Sequence, residues 1–148
     1  MDEVAWQLEH SVEADVGADF AWSFWTDVTN WDDPPAQFEL DGPFAVGSHG
    51  TTLIPGQEPR HWTIRDVRPG KSYVIETLVE GAMLSFEWRF ERITDRKTRL
   101  TQRIVLSGAK AADYIDAVQA GFGPTLAEGM NRIAGLLERA EERARGTG

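Results

Sequence analysis

Residues 83–93 have the sequence MLSFEWRFERI, and their strict alternation decides the fold class. Leu84, Phe86, Trp88 and Phe90 alternate with serine, glutamate and arginine side chains. A period of two is typical of a β-strand, because successive side chains of a strand point to opposite faces of its sheet. We therefore predict a strand with one face covered by the rest of the protein and the other face in water.

Further strands are predicted on both sides of this one. Glycine- and proline-containing turns, such as Asp41-Gly42-Pro43 and Arg68-Pro69-Gly70, separate short apolar segments. The other predicted strands are residues 4–13, 37–40, 50–54, 60–67, 72–79 and 99–106. The first of them also alternates, with Leu8 and Val12 on its covered face.

Two short helical segments are predicted between the first two strands. Trp22 and Trp25 have helical spacing within residues 18–26, and a second short turn is expected over residues 28–31. The sequence Asp32-Asp33-Pro34-Pro35 ends this turn, because two consecutive prolines cannot continue a helix.

The last third of the chain predicts one long helix. Its apolar stripe recurs every three or four residues and consists of Tyr114, Val118, Phe122, Leu126, Met130, Ile133 and Leu137. Gly121, Gly123 and Pro124 interrupt the stripe, so we expect a kink or a short break near Phe122. From about residue 141 the tail is polar, and we expect it to be a fraying helix end.

The order of these elements predicts the fold class. Strands and helices that do not alternate regularly favour an α+β architecture, with the helices on one face of an antiparallel sheet. We expect one domain over residues 1–148, in which six or seven strands curve around the long C-terminal helix. Such a curved sheet can enclose a cavity instead of a solid core.

Composition excludes several classes of function. Acidic residues outnumber basic ones by 24 to 15, and the net charge of −9 argues against general binding to nucleic acid or to anionic lipid. Without cysteine, the chain can form no disulfide and no thiolate metal site. We find no signal peptide, no apolar run long enough to insert into a membrane and no cofactor motif, so we expect a cytoplasmic protein without a cofactor.

Several short segments carry a resemblance to a known superfamily. In chain order they are Ala21-Trp22 with Asp27 and Trp31, Leu40-Asp41-Gly42-Pro43 with Val46-Gly47, WTIRDVRPG at residues 62–70, RLTQR at residues 99–103, and Leu106-Ser107-Gly108. Together they resemble the polyketide cyclase/dehydrase and lipid-transport superfamily (SRPBCC), over about residues 4–137. The resemblance implies the helix-grip fold, which START domains and the birch pollen allergen share, and a cavity for a hydrophobic ligand. It leaves the activity open, because the superfamily includes both carriers and aromatase/cyclases.

The candidate ligand-binding residues are inward-facing side chains of the sheet and residues of the helical stripe. They are His10, Trp25, Trp31, Phe38, Trp62, Phe86, Trp88, Gln102, Tyr114, Val118 and Phe122. The aromatic rings could stack a flat or long-chain ligand, or they could simply fill the core. Trp31, Phe38 and residues 121–124 are the expected gate, because loops and kinks supply opening motions.

The polar members of this set have two interpretations. His10 lies on the covered face of its strand, where it could hydrogen-bond a ligand carbonyl or transfer a proton. Alternatively, its ring forms only ordinary hydrogen bonds to the backbone or to water. Gln102 and Tyr114 could likewise orient a ligand or satisfy their hydrogen bonds elsewhere. We place His61 on the outward face of its strand. We expect no metal site, because no two histidines have the close spacing of a pair of metal ligands. The basic residues around the hairpin at residues 92–103 predict a solvated tip.

Three functions follow, and the sequence leaves them open. The first is binding or transport of a small hydrophobic, lipid- or polyketide-like molecule, without interaction with nucleic acid. The second is an aromatase/cyclase-type enzyme, for which His10 and Tyr114 are the available acid–base groups and no catalytic residue is assigned. The third is a protein that binds a partner and has an incidental cavity, and a homodimer is also left open.

Overall fold

The computed structural model describes residues 4–31 and 35–146, and its centre is one antiparallel sheet. The seven strands are β1 (Val4–Ala14), β2 (Gln37–Asp41), β3 (His49–Leu53), β4 (Arg60–Arg68), β5 (Ser72–Val79), β6 (Ala82–Thr94) and β7 (Lys97–Ser107). They are ordered β1-β7-β6-β5-β4-β3-β2, so each strand pairs with its neighbour in the chain except that β1 pairs with β7. The strand predicted from residues 83–93 is β6, and it is the longest of those described.

The helices follow β1 and β7, as predicted. Helix α1 (Ala18–Trp25) and a 3₁₀ turn (Val28–Asn30) connect β1 to β2. The Asp32-Asp33-Pro34 part of the predicted end of this turn lies outside the described residues. After β7, a 3₁₀ turn (Ala111–Tyr114) leads into α2 (Ile115–Phe122) and then α3 (Leu126–Gly146). The predicted α+β architecture is confirmed, and the interruption near Phe122 is a break between two helices.

One face of the sheet is covered by helices, and the other carries charge. On β7 the side chains of Leu100, Ile104 and Leu106 are fully buried, whereas Arg99 points outward. Helix α3 lies against β1 and buries Met130 and Leu137 there. No helix among residues 4–31 and 35–146 has the length and apolar content needed to cross a bilayer.

Two carboxylates of α3 fix the turn between β1 and α1. Glu138 Oε2 accepts a hydrogen bond from the backbone N–H of Asp15 at 2.7 Å, and Glu141 Oε2 accepts one from Gly17 at 3.1 Å. The other oxygen, Glu141 Oε1, lies 3.5 Å from the Arg145 guanidinium, close enough for an ion pair but without hydrogen-bond geometry. Helix α3 therefore includes residues 141–146 of the polar tail, and Glu141 anchors it to the start of α1.

The basic residues around the β6–β7 hairpin are matched by acidic ones. Lys97 lies 4.0 Å from Glu13 and 3.8 Å from Asp15, and Arg99 lies 3.4 Å from Glu13. Arg92 likewise approaches two exposed aspartates. These pairs are largely in water and each contributes well under about 1 kcal/mol. They offset the charges of Arg92, Lys97 and Arg99 in the cationic cluster that the sequence places there.

Gly50 is required by the ring that lies over it. Gly50 and Trp62 are opposite each other on β3 and β4, and a Cβ atom at residue 50 would overlap the Trp62 six-membered ring. The ring cannot move away freely, because its indole N–H donates to Thr52 Oγ1 at 3.1 Å.

We predict that Gly50→Ala lowers the free energy of unfolding by about 2–3 kcal/mol, because the added methyl group overpacks the core. The control is Gly129→Ala in α3, where a Cβ atom meets nothing within 4 Å. This control should raise stability slightly, because alanine favours a helix more than glycine does. Urea unfolding measures both variants, and equal stability of the two would contradict the steric role of Gly50.

Candidate ligand cavity

Aromatic rings fill one end of the space between the sheet and the helices. Ring centroids are 5.7 Å apart for Trp25 and Trp88, 5.8 Å for Trp25 and Trp31, and 5.6 Å for Trp31 and Trp62. Phe38 packs edge-on against Trp31 at 5.3 Å. We call these five residues the aromatic cluster. Trp25, Trp62 and Trp88 are at most 6% exposed, so the sheet, α1 and the turn after it enclose them.

Hydrogen bonds fix the orientation of two indoles in the aromatic cluster. Trp31 Nε1 donates to the backbone carbonyl of Trp25 at 2.7 Å, and Trp62 Nε1 donates to Thr52. Trp25 Nε1 is buried without a hydrogen-bond partner in the described part of the chain. The aromatic cluster thus packs as a single unit with fixed ring planes.

Tyr73 lies beside the aromatic cluster and is almost completely buried. Its ring contacts Trp22, Phe44 and Phe90, with centroid separations of 6.2, 5.0 and 6.4 Å. Burial raises the pKa of the Tyr73 hydroxyl well above its usual range, because the charged phenolate would lose its hydration. The nearby indole N–H of Trp25 opposes this rise in pKa, although the geometry falls short of a hydrogen bond. Tyr73 therefore stays neutral and acts as a core residue.

A half-open cavity of about 1150 Å³ lies between α2 and strands β4–β6, and residues from both faces of β4 and β5 line it. Its apolar wall includes Val79 and Leu84 from the sheet, and Val118 and Phe122 from α2. The remaining wall residues are Pro59, Arg60, His61, Thr63, Glu76, Thr77, Leu78, Met83, Ala117 and Gly121. The cavity therefore has an apolar interior and a partly polar rim.

Helix α2 covers this cavity with few contacts. None of its residues is buried, in contrast to α3. Phe122 packs edge-on against Phe86 of β6 at 5.6 Å, and Gln119 Oε1 accepts a hydrogen bond from Trp6 Nε1 at 2.7 Å. Just before α2, the Tyr114 hydroxyl donates to the backbone carbonyl of Glu80 at 2.7 Å. These contacts hold α2 over the cavity.

His10 and Gln102 lie on the helix-covered face of the sheet, in the same cross-strand row as Trp88 of the aromatic cluster. They are directly opposite each other in the β1–β7 register, and Gln102 is also opposite Trp88. Both side chains are half-buried. Within residues 4–31 and 35–146, neither side chain has a hydrogen bond or an ion pair.

The structure thus divides the predicted site residues into separate groups. Five of them form the aromatic cluster, Val118 and Phe122 line the cavity, Phe86 contacts Phe122, and His10 and Gln102 form a polar pair. Tyr114 lies at the β5–β6 turn, and His61 points outward, as predicted. Sequence analysis did not identify the part of the cavity wall that β4 and β5 contribute. It also missed Leu84 as a wall residue, although the alternation of residues 83–93 places Leu84 on the inward face of β6.

A smaller groove of about 500 Å³ lies on the outer face of the sheet. It is lined partly by Arg65, Glu76, Glu87 and Arg103. Arg65 pairs with Glu76 at 3.1 Å, and Arg103 donates to Gln7 Oε1 at 2.7 Å. Charged and polar side chains form most of this groove, so the more apolar cavity under α2 is the better candidate for an apolar ligand.

Comparison with solved structures identifies the fold. Norcoclaurine synthase from Thalictrum flavum, in complex with dopamine and hydroxybenzaldehyde, is similar with a TM-score of 0.68 and 14% identity, over 92% of this chain and 87% of that one. Zhui aromatase/cyclase from Streptomyces sp. R1128 has a TM-score of 0.66 and 21% identity, over 97% and 98%. A protein from Arthrobacter aurescens has a TM-score of 0.68 and 16% identity, over 93% and 91%.

These similarities show that the chain has the helix-grip fold, and they confirm the resemblance seen in the sequence at the level of the fold. The sequence matches no family model and no curated protein. The fold alone does not determine an activity, because one fold supports many sites.

We predict that Trp6→Phe loosens α2, because phenylalanine lacks the N–H that bonds Gln119. Backbone amides of residues 115–122 should exchange with deuterium about 3- to 10-fold faster, the effect expected for one lost hydrogen bond. Trp62→Phe is the control, since it removes an indole N–H bond remote from α2. Unchanged exchange in α2 of the Trp6→Phe variant would show that the bond does not hold the helix.

We also predict an alkaline loss of stability that depends on Tyr73. The unfolded chain releases the phenolic proton above pH 10, its ordinary pKa, while the folded state retains it. The contribution of Tyr73 to the free energy of unfolding is therefore fully present below pH 10. Above pH 10 this contribution falls by about 1.4 kcal/mol per pH unit. Urea unfolding between pH 9 and pH 11 should show a smaller loss for Tyr73→Phe than for the wild type. Parallel pH profiles would contradict the burial of a neutral Tyr73.

Proposed function

We propose that the protein binds a small, largely apolar molecule in the cavity between α2 and strands β4–β6. The observation that carries this proposal is the cavity's size and lining: about 1150 Å³, with Val79, Leu84, Val118 and Phe122 in its wall. Sites for small molecules are usually concave, mostly apolar and of roughly 300–1000 Å³. The cavity is of that order and of that chemistry.

The rim of the cavity favours a ligand that enters from water. Arg60 and His61 are exposed, and Glu76 is half-buried beside them. Leu78, which is 78% exposed, places an apolar side chain at the same opening. A mixed polar and apolar rim of this kind can contact an amphipathic molecule before its apolar part is buried under α2.

The comparisons supply indirect support for a small-molecule ligand. One similar structure holds dopamine and hydroxybenzaldehyde, and another is an aromatase/cyclase. Binding is favoured over the cyclase alternative by the position of the two candidate acid–base groups. The Tyr114 hydroxyl donates to the Glu80 carbonyl at the β5–β6 turn, whereas His10 lies on β1, three strand positions away from β5. They do not form an acid–base pair.

A matched pair of variants tests the proposal. Gly121 lies in the cavity wall and Gly129 lies on α3, and a Cβ atom at either residue meets nothing within 4 Å. We predict that Gly121→Phe reduces binding of the apolar fluorescent probe N-phenyl-1-naphthylamine at least about tenfold, because the ring occupies part of the cavity. Gly129→Phe should bind the probe as the wild type does.

Native mass spectrometry of the purified wild type complements this titration. A bound molecule that is released on denaturation and extracted into organic solvent would define the ligand's chemical class. Equal probe binding by Gly121→Phe and the wild type, or no binding by either, would contradict ligand binding in this cavity.

A further inference from the structure

An isolated polar pair lies on the apolar inner face of the sheet. His10 and Gln102 are opposite each other on β1 and β7, in the same cross-strand row as Trp88. The flanking inner-face residues of β7, Leu100 and Ile104, are fully buried and apolar. An imidazole and a carboxamide in such surroundings lose hydration unless they find hydrogen-bond partners.

Residues 4–31 and 35–146 do not supply those partners. Neither side chain has a hydrogen bond in the described part of the chain, although each can both donate and accept. Both side chains are half-buried, and none of their nitrogen or oxygen atoms is fully buried, so these atoms can be reached by water or by a small molecule. They are therefore free to bond a molecule that enters the space between the sheet and the helices.

The pair lies outside the cavity lining, and strand β6 connects the two places. On β6, the inner-face residues run from Trp88, in the row of Gln102, through Phe86 to Leu84 in the cavity wall. Phe86 is only half-buried, and its ring contacts Phe122 of α2. Four residues of strand span about 13 Å, roughly the length of an extended ten-carbon chain.

We propose that His10 and Gln102 form a polar subsite that binds the terminal oxygen of an elongated, otherwise apolar ligand about 13 Å long, whose apolar body extends past Phe86 into the cavity under α2. This proposal rests on the ligand-binding function proposed above and defines the chemistry of the ligand. A hydroxyl, carbonyl or carboxyl oxygen satisfies both side chains, whereas a fully apolar molecule leaves them unpaired. The subsite thereby selects molecules with one oxygen-bearing end.

The experiment compares decan-1-ol with 1-chlorodecane, which has a similar length but no hydroxyl group. Each compound displaces N-phenyl-1-naphthylamine from the wild type, Gln102→Leu, His10→Leu and the control Gln37→Leu, whose glutamine is exposed on β2. We expect the preference for the alcohol, measured as the ratio of the two dissociation constants, to fall about 3- to 10-fold in the first two variants. The control should keep the wild-type ratio.

A second measurement does not depend on any ligand. Because the pair has no hydrogen-bond partner in the described part of the chain, Gln102→Leu and His10→Leu should raise Tm by about 2–4 °C, as expected when a polar group kept for binding is replaced by a packed apolar one. A lower Tm would show that the pair has a structural role and would overturn the subsite. Binding of both compounds with the same ratio in all variants would also overturn it, while leaving the proposed function intact. Failure of the wild type to bind probe, alcohol and chloride would overturn both proposals.

Discussion

The packing of Trp25 on Trp88 is the contact on which the arrangement of the interior depends. It joins α1 to β6, in the middle of the sheet, and Trp31 extends the contact to Trp62 on β4 and Phe38 on β2. Each of these rings can bury about 150–250 Å², so together they close one end of the curved sheet. None of these five rings lines the cavity under α2. The aromatic cluster thus fills a part of the interior that is separate from the cavity.

The two C-terminal helices differ in how firmly they are held. Helix α3 buries an apolar stripe, and two of its carboxylates accept hydrogen bonds from the β1–α1 turn, whereas α2 buries no residue. Residues 123–125 separate them, so movement of α2 need not disturb α3. Regions that open most easily have few buried apolar contacts, and α2 fits that description. If the proposed function holds, ligand entry depends on α2 and structural stability on α3, although the sequence presents the two helices as one stripe.

The architecture could be predicted from the sequence because it depends on periodicity. Alternation over residues 83–93 and the helical stripe define the sheet, its inner face and the covering helices. Periodicity cannot show what lies opposite a side chain. Phe86 and Trp88 share one face of β6, yet Trp88 packs against Trp25 of α1 while Phe86 packs against Phe122 of α2. The cavity rim was missed because β4 and β5 contribute residues from both of their faces to it.

The charge pattern on the outer face limits how two copies of the chain can associate. Glu9 and Glu13 of the edge strand β1 are opposite Arg103 and Arg99 of β7, and the same arginines are opposite glutamates of β6. Two β1 edges paired antiparallel about Ser11 would bring Glu9 of each copy opposite Glu13 of the other, and like charges in that position destabilise a sheet. The acidic residues that balance the basic hairpin therefore also protect this edge. A homodimer that pairs two β1 edges would therefore need a different register.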